Sequence, residues 1–259
     1  MKSVPHKLDQ TDYQGWISRV DAQRMLALQS SWLQDQISQL HCQHLLYYGL
    51  DSNTECLSTS PVRHKFRMGL PWQQGVIKAD AWMNSRAWPL SDQSIDVVVL
   101  QHSLDFTRRP HQLIREATRV LTEDGHIVII GFNPWSWWGS IRALLPFATH
   151  MPWVANIVGI KRLTDWLMLL GYTVRNTASM GHVWPLTFLP ERFSLRADSV
   201  LAGGPQVMGS FYMIVAQKTT LRMKHLQSKK WGVIEPQLGW ATSMGSTPKN
   251  NVKTLNKEI

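Results

Sequence analysis

Ser94-Ile95-Asp96-Val97-Val98-Val99-Leu100, then Pro110-His111-Gln112-Leu113-Ile114-Arg115-Glu116-Ala117-Thr118-Arg119-Val120-Leu121, then Ile127-Val128-Ile129-Ile130-Gly131-Phe132: these three stretches decide the fold. The first and third have almost no polar alternation, the pattern of strands buried on both faces of a parallel sheet. Between them, Pro110 suits the first turn of a helix, where its missing N–H needs no partner. Leu113, Ile114, Ala117, Val120 and Leu121 then recur as one apolar stripe at helical spacing. Asp124-Gly125 closes the helical stretch with a turn signal. Strand, helix and strand of this combined length make a right-handed crossover unit.

The same alternation continues outward in both directions. Downstream, Leu163 to Leu170 reads as a helix ended by Gly171, Tyr172 to Arg175 as a strand, and Phe211 to Gln217 as a last apolar strand. Upstream, Val76 to Ala79 and His64 to Met68 read as strands, and His44 to Leu50 as the first strand, with the turn-rich Asp51, Ser52 and Asn53 after it. From Asp12 to Leu40, Met25, Leu26, Trp32, Leu33, Ile37 and Leu40 recur at helical spacing among Gln and Ser, which predicts an amphipathic leading helix. The fold expected is α/β, a doubly wound and mostly parallel Rossmann-like sheet. The organisation expected is an N-terminal helical extension over 1–40, a body over 41–218, and a basic tail over 219–259 that lacks periodicity and is read as disordered.

Charge and composition narrow the function. The chain has 259 residues and a net charge of +9, but residues 217–259 carry eight Lys or Arg against two Glu. Only a net +3 therefore belongs to the first 216 residues, and nucleic acid is not the expected partner of the body. Cys42 and Cys56 match neither a Cys-x-x-Cys motif nor a disulfide framework, which fits the cytoplasm. The polar run Asp9, Gln10, Asp12, Gln14 leaves no apolar signal-peptide core. His and Cys spacing suggests no metal site.

Four pieces in order carry a resemblance: Lys78-Ala79-Asp80-Ala81 with Trp88-Pro89-Leu90, then Ser94 to Val99, then Arg115-Glu116 with Arg119-Val120-Leu121, then Asp124-Gly125 before the next strand. Together they resemble the class I S-adenosylmethionine-dependent methyltransferases, specifically the methyltransferase type 11 family. Asp165-Trp166-Leu167, Gly171-Tyr172 and Tyr212 to Lys218 fit that family's last helix and strands, so the resemblance covers roughly residues 40–218. It implies S-adenosylmethionine as cofactor, bound across the C-terminal ends of the first strands, and methyl transfer to a small, apolar acceptor. It further implies cofactor contacts at Gly49 and Asp51 after the first strand, at Asp80 and Ala81 after the third, and at Gln101 and His102 after the fourth. The bland readings are that Asp80 caps a turn, and that Gln101 and His102 simply form one.

The glycine-rich motif of the family is degenerate here. An acidic residue and then Gly-x-Gly-x-Gly are expected; the chain has Tyr47, Tyr48, Gly49, Leu50, Asp51, Ser52 and Asn53, in which only Gly49 remains. The ribose-binding acid after the second strand is missing too, since residues 66–72 offer Arg67 and no carboxylate. A non-catalytic methyltransferase-like binding protein is the alternative that these losses support.

Three further features bear on function. Trp135, Trp137 and Trp138 crowd after the fifth strand, in a segment to Ile160 whose one formal charge is Arg142. Gly139, Pro146 and Pro152 interrupt it well short of the ~20 apolar residues of a transmembrane span. It reads as a lid or as peripheral membrane contact through the three tryptophans, with plain packing on the sheet as the alternative. His102, His126 and His182 are the candidate general bases by residue type, with a structural role as the alternative for each. Trp231 among Lys229 and Lys230 is the one nucleic-acid-like feature, and it belongs to the tail.

Overall fold

The computed structural model describes residues 10–40, 42–50, 57, 62–76, 78–144, 150–181 and 209–219. The chain divides into two units, Met1–Leu221 and Arg222–Ile259; the described residues all fall in the first, and the tail expected to be disordered lies outside them from residue 220 on. Helices α1 (Gln10–Ile17) and α2 (Val20–Ser38) lead into β1 (His44–Gly49), β2 (His64–Gly69), β3 (Ala81–Trp82) and β4 (Ile95–Gln101). Then follow α3 (Pro110–Val120), β5 (Leu121–Phe132), α4 (Trp137–Leu144), α5 (Ile160–Leu169), β6 (Tyr172–Met180) and β7 (Phe211–Lys218).

The seven strands form one sheet in the order β3-β2-β1-β4-β5-β7-β6. The five strands β1 to β5 pair in parallel, and β7 lies antiparallel between β5 and β6. Strand order reverses between β1 and β4, which makes their C-terminal ends the place where an open α/β sheet leaves a crevice. The central strands carry the pattern that predicted them: Val97 to Leu100 and Ile127 to Ile130 are fully buried. On α3, Leu113, Ile114, Ala117 and Val120 are buried, each large side chain contributing about 1.5–3 kcal/mol by leaving water.

The structure departs from the sequence expectations at three points. The leading helix is two helices, because Arg19 takes an extended backbone (φ −76, ψ 146) before α2 starts. Val76, Lys78 and Ala79 form no strand, Ile77 lying outside the described residues; a short 3₁₀ turn over Pro71–Gln73 precedes instead, and β3 is the two residues Ala81–Trp82, paired with Met68 and Gly69. The turn at Asp124-Gly125 lies inside β5: the ladder passes from Ile95↔Leu121 to Val97↔His126, with Asp124 at φ 66. Asp is among the few non-Gly residues that accept this left-handed backbone.

Arg119 shows what one of the quoted motifs does for the fold. Its guanidinium donates to the carbonyls of Trp88 (3.0 Å) and Leu90 (2.9 Å), to Glu116 Oε2 (3.0 Å) and to Asp92 Oδ1 (2.5 Å). Glu116 Oε2 also accepts from Trp88 N–H (3.2 Å). The Arg and Glu of α3 thus tie down the loop that runs from β3 to β4. Arg119→Ala should lower stability by about 2 kcal/mol, one charge-assisted donor's worth, because the two carbonyls can turn to solvent. Urea denaturation checks it, and a change under 0.5 kcal/mol would assign the clamp no structural weight.

Candidate functional site

A cleft of about 540 Å³ opens beside the C-terminal ends of β1, β2 and β4. That is within the ~300–1,000 Å³ range of small-molecule sites. Its apolar wall is Tyr48, Leu70, Trp72 and Phe106. Tyr48 belongs to β1, and its hydroxyl donates to the Met83 carbonyl (3.1 Å). Burial raises that phenol well above its ordinary pKa, so it stays neutral. Trp72 meets Phe106 edge to face at 6.2 Å and Tyr13 of α1 at 5.2 Å. The N-terminal helix therefore braces the aromatic wall. Tyr13 also donates its hydroxyl to the Leu50 carbonyl, at the end of β1.

Behind the cleft, a chain of buried hydrogen bonds links α2 to the strand ends. Tyr47 Oη donates to Gln101 Oε1, Gln101 Nε2 to Gln29 Oε1 (2.6 Å), Gln29 Nε2 to His102 Nε2 (2.8 Å), and His102 Nδ1 to Asp105 Oδ2 (2.9 Å). In this direction His102 is a neutral imidazole with its proton on Nδ1. Asp105 Oδ2 also accepts from Phe132 N–H (3.1 Å), while its Oδ1 is buried without a partner. Burial pushes the Asp105 carboxyl above its ordinary range, against the lowering pull of His102, Phe132 N–H and Arg142. Gln29, Gln101, His102 and Asp105 are all withdrawn from solvent.

The residues named from sequence divide accordingly. Gln101 and His102 lie where expected, at the end of β4, with His102 at φ 53. Both ring nitrogens of His102 are engaged, Nε2 with Gln29 and Nδ1 with Asp105, so the ring ties α2 to the sheet. Gly49 stands opposite Gln101, and a Cβ there would lie 2.8 Å from Gln101 Cβ and 2.9 Å from the Tyr47 hydroxyl. Close strand packing thus accounts for this glycine by itself. Asp80 precedes β3 and does not follow it; its carboxylate accepts from Arg67 N–H (2.7 Å), and Asp80 N–H donates to the Arg67 carbonyl (2.7 Å). That reciprocal pair is the turn-holding reading, produced by the shorter and later β3. Ala81 is half-buried and pairs with Met68. Asp51 and His182 lie outside the described residues.

The tryptophan segment is also corrected. Trp138 is fully buried, its ring 4.6 Å from Phe132 and 5.7 Å from Trp153, so it is core and not a membrane anchor. Trp135 is exposed at 73%, and the side chain of Trp137 lies outside the described residues. Arg142 donates to the carbonyls of Trp153 (2.9 Å) and Ala155, which fastens the segment after α4 to the body. No described helix is long and apolar enough to cross a membrane. Among the described residues, no group of three His, Cys, Asp or Glu is placed to hold a metal.

The sequence reading missed the cleft wall and Gln29. Gln29 had a signal: it lies four residues from both Met25 and Leu33, on the buried stripe of α2, and a Gln there needs a buried partner. Trp72 and Phe106 had none, since Trp72 stands in a three-residue 3₁₀ turn and Phe106 in the turn after β4, and neither has a period.

The cleft fits an adenosyl group in place, volume and wall. Trp72 and Phe106 offer faces and edges to a base, and Asn84, Ser85 and Thr107 on the rim offer polar contacts. The acidic handholds for the ribose and the amino group are not among its lining residues.

A family model described as a methyltransferase domain matches residues 34–129. The chain is 34% identical over 182 residues to the uncharacterized protein YafS of Escherichia coli (strain K12), covering 69% of each chain. Its fold is similar to a SAM-dependent methyltransferase of Archaeoglobus fulgidus, with a TM-score of 0.52 and 18% identity over 74% of this chain and 94% of that one. A SAM-dependent methyltransferase of Thermotoga maritima gives a TM-score of 0.55 and 13% identity over 81% and 99%. With a sheet reversing between β1 and β4, a cleft at that reversal and a methyltransferase domain matched over residues 34–129, the chain has the class I S-adenosylmethionine-dependent methyltransferase fold and belongs to one family with YafS.

Proposed function

We propose that the chain transfers a methyl group from S-adenosylmethionine to a small-molecule acceptor in the cytoplasm, using the cleft at the C-terminal ends of β1, β2 and β4. The observation that carries this reading is the aromatic-walled cleft at the strand reversal. When bound, the cofactor supplies an electrophilic methyl group and leaves as S-adenosylhomocysteine. The chain's own part is positioning, which by itself can supply most of the acceleration of such a displacement. Trp72 and Phe106 would hold the adenosyl group, while Gly49 keeps the end of β1 close to β4. His102 is a positioning residue that fixes α2, through Gln29, over the ends of β1 and β4. Asp51, Asp80 and Ala81 would border the cofactor, and a base, if the acceptor needs one, would have to come from outside the network, with His182 as the candidate.

Ultraviolet irradiation with methyl-tritiated S-adenosylmethionine should label the wild-type chain, and excess S-adenosylhomocysteine should abolish the labelling. Trp72→Ala should reduce it about tenfold, the loss of one aromatic stacking partner. Labelling that the competitor does not touch would refute the reading.

A further inference from the structure

We propose that the cleft takes an anion: an acceptor with an apolar body and a carboxylate or phosphate group, held by Arg86, Arg108 and Arg109. This rests on the methyl-transfer reading of the same cleft and adds the chemical class of the second ligand. All three arginines line the cleft, and no carboxylate does. None of the three enters a salt bridge among the described residues. Three like charges on one rim repel each other, and an anion between them removes that repulsion while making charge-assisted hydrogen bonds.

Their convergence is built by neighbours on two loops. Gln112 Nε2 donates to the Arg86 carbonyl (3.2 Å), and Thr107 Oγ1 donates to Ser85 Oγ (3.2 Å). These bonds join the segment after β3 to the segment after β4, so Arg86 faces the same opening as Arg108 and Arg109. Of the apolar lining, Trp72 and Phe106 are given to the adenosyl group, which leaves Tyr48, Leu70 and Pro71 for the body of the acceptor. One ligand meets both this lining and the arginines if it pairs an apolar or aromatic body with an anionic group. S-adenosylmethionine does not call for three arginines, because its sulfonium and ammonium outnumber its one carboxylate. The guanidinium groups therefore complement something other than the cofactor.

The test is calorimetric titration of the full chain with inorganic pyrophosphate and with benzoate, which separate phosphate from carboxylate chemistry. Benzylamine is the cationic control, and S-adenosylhomocysteine is titrated in parallel. At least one anion should bind, benzylamine should not, and Arg86→Gln, Arg108→Gln and Arg109→Gln should each weaken the anion about tenfold, the share of one charge-assisted hydrogen bond. The arginines are solvent-exposed, so the variants should keep the wild-type melting temperature, and the affinity for S-adenosylhomocysteine should stay within about threefold. Failure of both anions to bind, or equal anion binding by wild type and variants, overturns the inference. So does a parallel tenfold loss of S-adenosylhomocysteine, which would assign the arginines to the cofactor carboxylate. Arginine-dependent anion binding without any S-adenosylhomocysteine binding supports the anion site and refutes the methyl-transfer reading, so the two fail separately.

Discussion

Replacing Asp105 by Ala is expected to lower the melting temperature at neutral pH by roughly 10 °C. The carboxylate accepts from His102 Nδ1–H and from Phe132 N–H, both buried. Leaving each donor unpaired costs about 1–3 kcal/mol, and a melting shift of about 2–4 °C accompanies each kcal/mol in a body of this size. Asp105→Asn keeps an acceptor for both donors and should behave differently. Burial raises the folded-state pKa of Asp105 above its unfolded value. The protonation-linked part of this group's stability is therefore full below the unfolded value, about 3.9, and is lost as pH rises through the raised folded value, while the hydrogen bonds accepted from His102 and Phe132 remain. The Asn variant escapes that loss, so its melting temperature relative to wild type should climb as pH rises from about 4. Differential scanning calorimetry across pH checks both variants. An Ala variant melting within about 2 °C of wild type would show that the network carries no stability.

The second large effect concerns the altered glycine loop. Asp51→Gly with Asn53→Gly should raise S-adenosylhomocysteine affinity about tenfold, because glycines let backbone approach a ligand without a Cβ between them. Restoring the acidic residue as well, by Tyr47→Asp, is a different matter. Tyr47 is fully buried and starts the hydrogen-bond chain through Gln101 and Gln29. Tyr47→Asp would bury a carboxylate and empty a phenol-sized space, a change expected to cost about 3–5 kcal/mol. The double variant should therefore bind more tightly at wild-type stability, while the triple variant unfolds at much lower urea. Equal affinity in wild type and double variant would move the obstacle to cofactor binding out of this loop.

What was legible in the sequence follows from how each feature is encoded. Val97 to Leu100, the stripe on α3 and Ile127 to Phe132 were legible because burial on two faces leaves a continuous apolar run, and burial on one helical face leaves a period. β3 was not, since two residues have no period and the apolar Val76 and Ile77 drew the reading upstream. The break between α1 and α2 was hidden because the apolar spacing runs on past Arg19. At the site, Gln101 and His102 could be placed at the end of β4, but their partner Gln29 is 72 and 73 residues away, a distance no local pattern spans. The arginines of the cleft were invisible for a related reason. Arg108 and Arg109 precede a helix like any exposed loop charge, and only the bonds of Thr107 and Gln112 bring Arg86 beside them.

Calorimetric titration of the wild-type chain with S-adenosylhomocysteine measures whether the cleft binds the cofactor despite its weakened loop. One saturable site per chain, weakened by Trp72→Ala about tenfold and unchanged in melting temperature, is the predicted result. No binding to a folded wild-type chain at millimolar ligand, with none gained in the Asp51→Gly, Asn53→Gly variant, would contradict the account and leave a methyltransferase fold serving as a binding module.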